Sequence, residues 1–478
     1  MLEEQVPQRV RRRFPKDPTP RFRPDVSRQL DSLRGCPDYQ VPKDHLAREV
    51  WALVERVDTS SLEASFSALG RHGFHPRRVL AVLIYGSLIG LHESTKLGAA
   101  LKTDAALQFL AGGQVISSGT LRRRRQQMGG FFQSVLEQTV ALARELGMLE
   151  KVEVAVDSVR LQAHSSNGSI RSLARSKQRV AELKATPTEG LNAEQQEVHA
   201  EKLAKHEHAV AHCEQQQVSN FIVGNELASM MKLGNGANAP GHRATVAATG
   251  AKERLALAVF VDASAVDAGK LQRAVEEARR VLQAVGASPQ QMPTSADAGY
   301  WTKEDLKFAI ESGDDVLIKE PPAQAKYDSE GNRLFFREHF TLLPDDSAIC
   351  PAGKKMVGPL RGNYGRKRFV GVGCSACPLK SKCTTGKTRN LTLDIELERL
   401  REQMRKRFEA NKSQYNKRIA IIEPVFSNIE STMGYRRVTT RHTDNVRAEI
   451  LLKVIAHNVS RIIHRRRVVC VLISVDLF

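Results

Sequence analysis

Three acidic residues follow apolar segments that lie far apart in the chain. Asp157 closes the segment VEVAVD, Asp297 precedes the small residues AGY, and Glu423 follows a pair of isoleucines. Carboxylates that converge from separate elements can hold two divalent ions ~3.5–4 Å apart, which activate an attacking oxygen and stabilise a leaving oxygen. Mg²⁺ prefers such oxygen ligands. These residues therefore suit metal-dependent chemistry on phosphate esters, although a lone Asp at a strand end is usually a turn former or a helix cap.

Two strands and a helix are expected to position these acids. The apolar, β-branched run 152–157 is typical of a strand that Asp157 ends, and 293–301 places Asp297 at the end of another. A helical region over 395–433 carries Glu423. Further strand patterns at 243–250, 254–262 and 315–321 alternate with helical patterns at 267–286 and 302–313. Such alternation predicts an α/β fold, a mixed sheet flanked by helices.

An N-terminal region over 45–145 has apolar residues at helical spacing and is expected to be all-α. Within it, two short helical patterns are followed by Gly112-Gly113 and by Ser117-Ser118, which can cap a helix start. The helix after that cap carries consecutive arginines, which are Arg122, Arg123, Arg124 and Arg125. This order is typical of a helix-turn-helix whose arginines contact DNA phosphates; the alternative is a basic, solvated helix face.

The predicted organisation has four parts. Residues 1–44 form a basic, flexible arm, 45–145 the helical DNA-binding domain, 150–465 the catalytic domain, and 466–478 a tail, expected to be an added strand or a loose end. The third part has two predicted insertions. One is a helical hairpin over about 168–224, and the other is a Cys-bearing segment over about 322–392.

The composition points to a polyanionic partner. Lys and Arg number 72 against 53 Asp and Glu, which gives a net charge of +19, so nucleic acid is the first expectation and an anionic membrane surface the second. The apolar stretch 79–91 is too short to span a bilayer, which needs ~20 residues, and the N-terminus lacks the apolar core of a signal peptide. We therefore expect a cytoplasmic protein without a membrane partner. Seven cysteines, an odd number, fit a reducing compartment.

Four of the cysteines cluster in the second insertion: Cys350, Cys374, Cys377 and Cys383. A structural Zn²⁺ site needs four soft ligands brought together by tight turns. The spacing is weaker than two CxxC pairs, because the first gap is wide. Two readings stay open, a structural zinc site and four reduced thiols in a packed insertion.

The chain resembles the DDE transposases of bacterial insertion sequences. Four stretches carry the likeness: HPRRVLAVLIYGSLIGLHESTKLGAAL (75–101) with LQFLAGGQ (107–114), VAVDSVRLQAHSS (154–166), SADAGYWTKEDL (295–306), and IIEPVFSNIESTMGYRRVTTRHTDNVRAEILLKVIAHNVSRI (421–462). The likeness runs with gaps from about residue 70 to 465. Its specificity comes from the order and spacing of the stretches.

This resemblance implies an RNase H-like catalytic domain in which Asp157, Asp297 and Glu423 bind two Mg²⁺ or Mn²⁺ ions. It implies strand cleavage at the ends of a mobile element, and attack of the freed 3′-hydroxyl on target DNA. The partner would be double-stranded DNA, both element ends and target, with a homo-oligomer assembled on it and a location at the bacterial nucleoid. Tyr415 and Arg418 fit the family signature around the third acid and are expected to contact DNA.

The chain departs from the family pattern at several positions. One extra residue separates Arg418 from Glu423, Glu430 stands where the family has Lys, Ser158 follows the first Asp where a Gly is common, and Ser427 also replaces a Gly. A basic side chain lost near phosphate removes a positioning contact. Three alternatives therefore remain: a degenerate transposase that only binds DNA, a helix-turn-helix regulator with an enlarged helical C-terminal region, and a stand-alone nuclease.

Overall fold

The computed structural model describes residues 20–475 apart from 32–34, 67–71, 323–325, 328–329 and 332. The predicted basic arm lies outside the described residues over 1–19. From residue 20 onward the arm prediction is wrong, because the segment packs on the helices that follow. The backbone N–H of Val26 donates to the Gly112 carbonyl oxygen (2.9 Å), Asp25 pairs with Arg78, and Val41 is buried in the core.

The helices of the described chain are α1 (Pro37–Gln40), α2 (Leu46–Val54), α3 (Ser60–Ala64), α4 (Pro76–Leu88), α5 (Ser94–Ala100), α6 (Ala105–Leu110), α7 (Ser118–Gln127), α8 (Phe132–Glu145), α9 (Leu173–Ala185), α10 (Ala193–Gln215), α11 (Leu271–Ala284), α12 (Lys303–Glu311), α13 (Lys380–Cys383), α14 (Ile395–Ala410), α15 (Lys412–Asn416), α16 (Arg418–Ser427) and α17 (Thr443–Val475). A π-helical turn over Asn428–Thr432 extends α16.

The strands of the described chain are β1 (Val154–Gln162), β2 (Ile170–Ser172), β3 (Asn220–Ile222), β4 (Ser229–Lys232), β5 (Asn238–Thr249), β6 (Leu255–Asp262), β7 (Thr294–Ala296), β8 (Val316–Ile318), β9 (Lys326–Tyr327), β10 (Arg333–Leu334), β11 (Thr341–Leu342), β12 (Ala348–Ile349), β13 (Val357–Arg361), β14 (Lys367–Val370) and β15 (Asn390–Leu393).

A mixed sheet lies at the centre of the fold, as the alternating pattern predicts. Its order is β4-β5-β1-β7-β8, with β6 paired to β5. The strands β4, β5, β6 and β1 pair antiparallel, whereas β1, β7 and β8 run parallel to one another. The parallel half follows from the helical crossovers, because a parallel pair needs a long connection such as α11 or α12. In this sheet Asp157 pairs opposite Val246, and Asp297 follows the end of β7.

Several local predictions differ from the structure. β1 continues to Gln162, so Asp157 lies in mid-strand and does not end the strand. The polar residues after Asp157 continue the strand because β5 pairs with them along its full length. The helix expected to start at Asp267 begins instead at Leu271. The tail is also not a strand, because α17 extends to Val475; residues 476–478 lie outside the described part.

The N-terminal helices and the sheet share one hydrophobic core. Buried residues of α2, α4, α7 and α8 belong to the same cluster as those of β1, β5, β6 and α17. Helix α17 packs against α4, α8 and β6 and therefore joins the two regions. The predicted helical region over 45–145 is present, but it does not have a core of its own.

Two further substructures project from this body. Helices α9 and α10 pack against each other as a hairpin between β1 and β5. The Cys-bearing segment forms short sheets, of which the largest is β13-β14-β15, around a separate small core of Ala348, Met356, Phe369, Leu391 and Leu393. None of the helices within the described residues is both long and apolar enough to cross a bilayer.

Candidate active site

Asp157 and Asp297 come together because their strands are neighbours. Asp157 lies in the middle of β1, and Asp297 follows β7, which pairs with β1 through Val156 and Ala296. Burial raises the pKa of the Asp157 carboxyl, and the negative charge of Asp297 raises it further. Two carboxylates that repel each other in a half-buried position are stabilised by a shared cation. The structure therefore brings together two of the three predicted acids.

Arg418 supplies positive charge to this pair. Its Nη1 atom donates to Asp157 Oδ2 at 2.7 Å, and the two side chains are only 11% and 15% exposed. This ion pair lowers the pKa of Asp157 against the effects of burial and Asp297. Arg418 is the first residue of α16, which packs on β1 and β5. The sequence assigned Arg418 to DNA, but its side chain is held inside the site.

Tyr415 also lies beside the acids and not on the surface. Its side chain is 9% exposed, its ring centroid is 4.8 Å from that of Phe408, and the Arg418 guanidinium lies 5.8 Å from its centroid. Burial raises the pKa of the Tyr415 hydroxyl, with Arg418 opposing the shift. The structure places Tyr415 against Arg418, and its predicted contact with DNA remains a prediction.

Asp267 is a third carboxylate at this place that the sequence did not indicate. It accepts hydrogen bonds from the Ser158 hydroxyl and from Arg243 Nη1, and Arg243 also donates to Ser158 Oγ at 2.8 Å. A Cβ added at Gly299 would lie 2.9 Å from Asp267 Oδ2 and 3.0 Å from Asp297 Oδ1. A side chain at 299 would therefore displace these carboxylates, and Asp267 borders the same space as Asp297.

Ser158 acquires a role through this contact. The family pattern favours Gly at this position, whereas here the hydroxyl connects β1 to Asp267. The buried Tyr300 hydroxyl lies near the same group, since Asp267, Asp157 and Asp297 all add to the burial that raises its pKa. No local pattern in the sequence indicates this arrangement, because Asp267 has the position of an acid that opens a helix.

Glu423 lies on α16 as predicted, but its side chain is exposed. Its negative charge acts on Glu430, whose pKa is raised first by burial and then by Glu423, and lowered by Arg436. Arg436 also donates from Nε to the Glu430 carbonyl oxygen at 3.2 Å. The acid that stands in place of the family lysine therefore has an arginine beside it.

Glu449, an acid on α17, has a structural position apart from this site. It is fully buried and accepts hydrogen bonds from the Thr439 backbone N–H (2.8 Å), the Thr440 hydroxyl (2.8 Å) and the Tyr435 hydroxyl (3.1 Å). It fixes the segment 435–440 and does not reach the Asp157–Asp297 pair.

The basic helix α7 starts as the sequence predicts, with Ser117 Oγ accepting from the Thr120 backbone N–H. Its arginines are not equivalent. Arg122 and Arg123 are exposed, whereas Arg124 stacks on Phe66, 4.2 Å from the ring centroid. Arg125 is only 6% exposed and donates to the His92 carbonyl oxygen at 3.3 Å. The DNA contact predicted for the four arginines remains a prediction, and Arg125 differs from the others because its side chain is largely buried beneath the helix.

The four clustered cysteines line one small cavity of about 20 Å³. Burial raises the pKa of the Cys383 thiol, and the other three cysteines of the cluster add to the shift. Even so, no three His, Cys, Asp or Glu side chains within the described residues are arranged to hold a metal ion. This applies to the cysteines and to the acids as they are placed.

The donor chemistry of the acidic pair nevertheless fits a hard divalent ion. Asp157 and Asp297 offer carboxylate oxygens side by side, and a single guanidinium offsets their charge only in part. The four thiols would likewise suit Zn²⁺ by ligand type.

Comparison with known families gives two matches. Residues 349–463 match the model described as Transposase DDE domain, and residues 36–127 match the Transposase domain (DUF772). The first contains the four clustered cysteines, Glu423 and most of α17, and the second contains α1 to α7. No curated protein matches the chain, and no solved structure does. The chain therefore carries regions similar to a transposase DDE domain and to a DUF772 transposase domain, which is similarity to the DDE transposases of insertion-sequence elements.

Proposed function

We propose that the chain binds the ends of an insertion sequence and catalyses metal-dependent strand cleavage and strand transfer in an RNase H-like domain. The observation that carries the proposal is that β1 and β7 are adjacent parallel strands, which brings Asp297 close enough to Asp157 for its charge to raise the pKa of the Asp157 carboxyl. The strand order β6-β5-β1-β7-β8, antiparallel then parallel, supports the RNase H-like assignment.

Asp157 and Asp297 are the residues that would hold Mg²⁺ or Mn²⁺, with Glu423 from α16 as the third ligand. The bound ions would activate the attacking oxygen and stabilise the leaving oxygen of the phosphodiester. Arg418 would orient the Asp157 carboxylate and hold its charge before DNA arrives. Ser158, Arg243 and Asp267 would fix the strand and the turn that carry the two acids.

A second candidate is a degenerate transposase that binds DNA without cutting it. Two observations favour it: Glu423 is exposed, and Arg418 already donates a hydrogen bond to the Asp157 carboxylate. The regulator hypothesis is weaker, because a mixed sheet follows the N-terminal helices and its neighbouring strands β1 and β7 bring Asp157 and Asp297 together. A stand-alone nuclease would share the metal site and differ only in lacking strand transfer.

The test is cleavage of a supercoiled plasmid that carries the genomic DNA flanking the coding sequence, with Mg²⁺ or with EDTA. We expect nicking by the wild type in Mg²⁺, and its loss in Asp157→Asn, Asp297→Asn and Glu423→Gln. A matched control is Glu201→Gln, an exposed acid on α10 that pairs only with Lys205 among the contacts described. Joining of a labelled 3′-end to a second plasmid separates a transposase from a nuclease.

Two outcomes would refute specific parts of this proposal. Full cleavage by Asp157→Asn would remove the acidic pair from the mechanism. Cleavage that survives Glu423→Gln but is lost in Asp267→Asn would transfer the third ligand to Asp267. Wild-type protein that binds the flanking DNA and never cuts it in Mg²⁺ or Mn²⁺ would select the degenerate alternative.

We also propose that the cysteine cluster holds one structural Zn²⁺. Cys350, Cys374, Cys377 and Cys383 line the same cavity, and tight turns place two of them: Gly353 N–H donates to the Cys350 carbonyl oxygen, and Cys377 N–H to that of Cys374. Binding requires small shifts of the thiols toward one another. Elemental analysis of purified protein should give one zinc per chain, and a metal-free, folded protein in which these four thiols are reduced would support the alternative.

A further inference from the structure

A basic cleft lies between the N-terminal helices and the segment that follows α16. It has a volume of about 590 Å³. Helices α5 and α7 form one wall, and residues 434–440 form the other. The cationic side chains that line it are Lys96, Arg122, Arg125, Arg436 and Arg437. We call it the α7 cleft.

The charge of the α7 cleft is strongly positive. Glu93 is the one acid among its lining residues, and it is already paired with Lys96 at 2.8 Å. His164 also lines the cleft, and its pKa is lowered by burial and then by the positive charges of Arg441 and Arg437. Five cations against one acid leave an excess that suits a polyanion.

The walls of the cleft are fixed from beneath. Glu449 holds Thr439, Thr440 and Tyr435 through three hydrogen bonds, and Arg125 ties α7 to the His92 carbonyl oxygen. Within the described residues, His92 Nδ1 and Thr439 Oγ1 are buried atoms of the lining that have no hydrogen-bond partner. The hydrogen bonds of Glu449 and Arg125 therefore hold both walls of the cleft in place.

The cleft is connected to the acids through β1. Gln162 N–H donates to the Arg436 carbonyl oxygen and Val438 N–H to that of Gln162, both at 2.9 Å, so the arginine segment continues the sheet at the end of β1. Gln162 is five residues after Asp157. At ~3.3 Å per residue the two positions are about 17 Å apart, and a rise of ~3.4 Å per base pair makes this about five base pairs of duplex DNA.

We propose that the α7 cleft binds the backbone phosphates of duplex DNA about five base pairs from the phosphate at Asp157. The inference rests on the proposed function for its reference point, the cut, while the binding itself requires no catalysis. It assigns DNA contact to Lys96, Arg436 and Arg437. Within the arginine run of α7 it assigns DNA contact to the exposed Arg122 and not to the buried Arg125.

The probe is a fluorescein-labelled 24-base-pair duplex of mixed sequence, with anisotropy measured over a range of salt concentrations. The variant is Arg122→Gln/Arg437→Gln, which removes two exposed charges from opposite walls. The control is Lys102→Gln/Lys151→Gln, which removes two exposed charges outside the cleft. Both proteins are first matched to wild type by circular dichroism; if the arginine variant is unfolded, Lys96→Gln/Arg122→Gln takes its place.

We expect the cleft variant to bind about tenfold more weakly, with a plot of log affinity against log salt that is shallower by about 1.8, or ~0.9 for each lost phosphate contact. The control should keep the wild-type slope. Unchanged affinity and slope in the cleft variant, or an equal loss in the control, would overturn the inference. These outcomes do not depend on cleavage, so a wild type that binds through the cleft but never cuts would refute the proposed function alone.

The distance has its own readout. Neutral methylphosphonates are placed singly along the flanking-DNA duplex, and binding is compared between wild type and the cleft variant. A substitution about five base pairs from the cut should weaken wild-type binding and leave the variant unaffected. Sensitivity confined to other positions would contradict the placement.

Discussion

Lys453 carries a pH dependence of stability that can be worked out from its surroundings. It is 2% exposed, donates to Ser87 Oγ at 2.8 Å and lies 5.1 Å from the Tyr435 ring centroid. Burial lowers the pKa of its ammonium from 10.5 to about 7, with Glu449 opposing the shift. Each pKa unit corresponds to about 1.4 kcal/mol, so the whole shift corresponds to on the order of 5 kcal/mol in the free energy of unfolding.

The sign follows from proton counting. Between pH 7 and 10.5 the unfolded chain keeps this lysine protonated while the folded protein has lost the proton. Because the unfolded state then binds more protons, the free energy of unfolding increases with pH over this range, by up to about 1.4 kcal/mol per pH unit. Lys453→Met removes this contribution, and all other titrating groups cancel in the difference between wild type and variant.

The assay is urea unfolding of both proteins at pH 7, 8, 9 and 10, followed by the fluorescence of Trp51 and Trp301. The free energy of unfolding of wild type should increase relative to Lys453→Met by about 1 kcal/mol per pH unit. Lys102→Met, at an exposed lysine, should show no such trend. A difference between wild type and Lys453→Met that stays constant from pH 7 to 10 would refute the reasoning.

Three further perturbations have defined outcomes. Gly98→Ala adds a Cβ 2.8 Å from a backbone nitrogen of α7, so it should lower the free energy of unfolding by ~1–3 kcal/mol. The control is Gly119→Ala, whose Cβ meets nothing within 4 Å and should not destabilise the protein. Equal urea midpoints for the two variants would contradict this. Arg418→Gln raises the pKa of Asp157 further, so the acidic limb of the cleavage pH profile should move to higher pH, and an unmoved limb would contradict the ion pair's role. Cys383→Ala should lose the zinc found in wild type; retention in full would exclude that ligand.

The sequence predicted the helices and strands better than the pairing of strands and the contacts of side chains. The alternating pattern indicates the mixed sheet because apolar periodicity is a local property, and the residues that flank Asp297 indicate its turn for the same reason. The predicted end of β1 at Asp157 was wrong, because the polar residues that follow Asp157 are typical of a loop. Pairing with β5 keeps them extended, and no local pattern reports that pairing.

The side-chain partners within the site were beyond local reasoning. Asp267 and Arg243 are 24 residues apart, and the Ser158 hydroxyl that joins them is 109 residues from Asp267. Arg125 belongs to a run of four arginines that one helix face cannot all share, since successive residues are rotated by about 100°. The run itself indicates that some arginines turn inward, although only packing decides which.

The shared core has a consequence for the order in which the protein is made. Helix α4 packs against α17, and the buried contact from Ser87 to Lys453 spans 366 residues of chain. At ~5–20 residues per second, α4 waits about 20 to 70 s on the ribosome before its partner is synthesised. The N-terminal helices, among them the one that carries the four arginines, are among the first to emerge, yet they complete their packing only when nearly the whole polypeptide is present. An interrupted translation product therefore leaves exposed the apolar surface of α4 that α17 covers in the full chain.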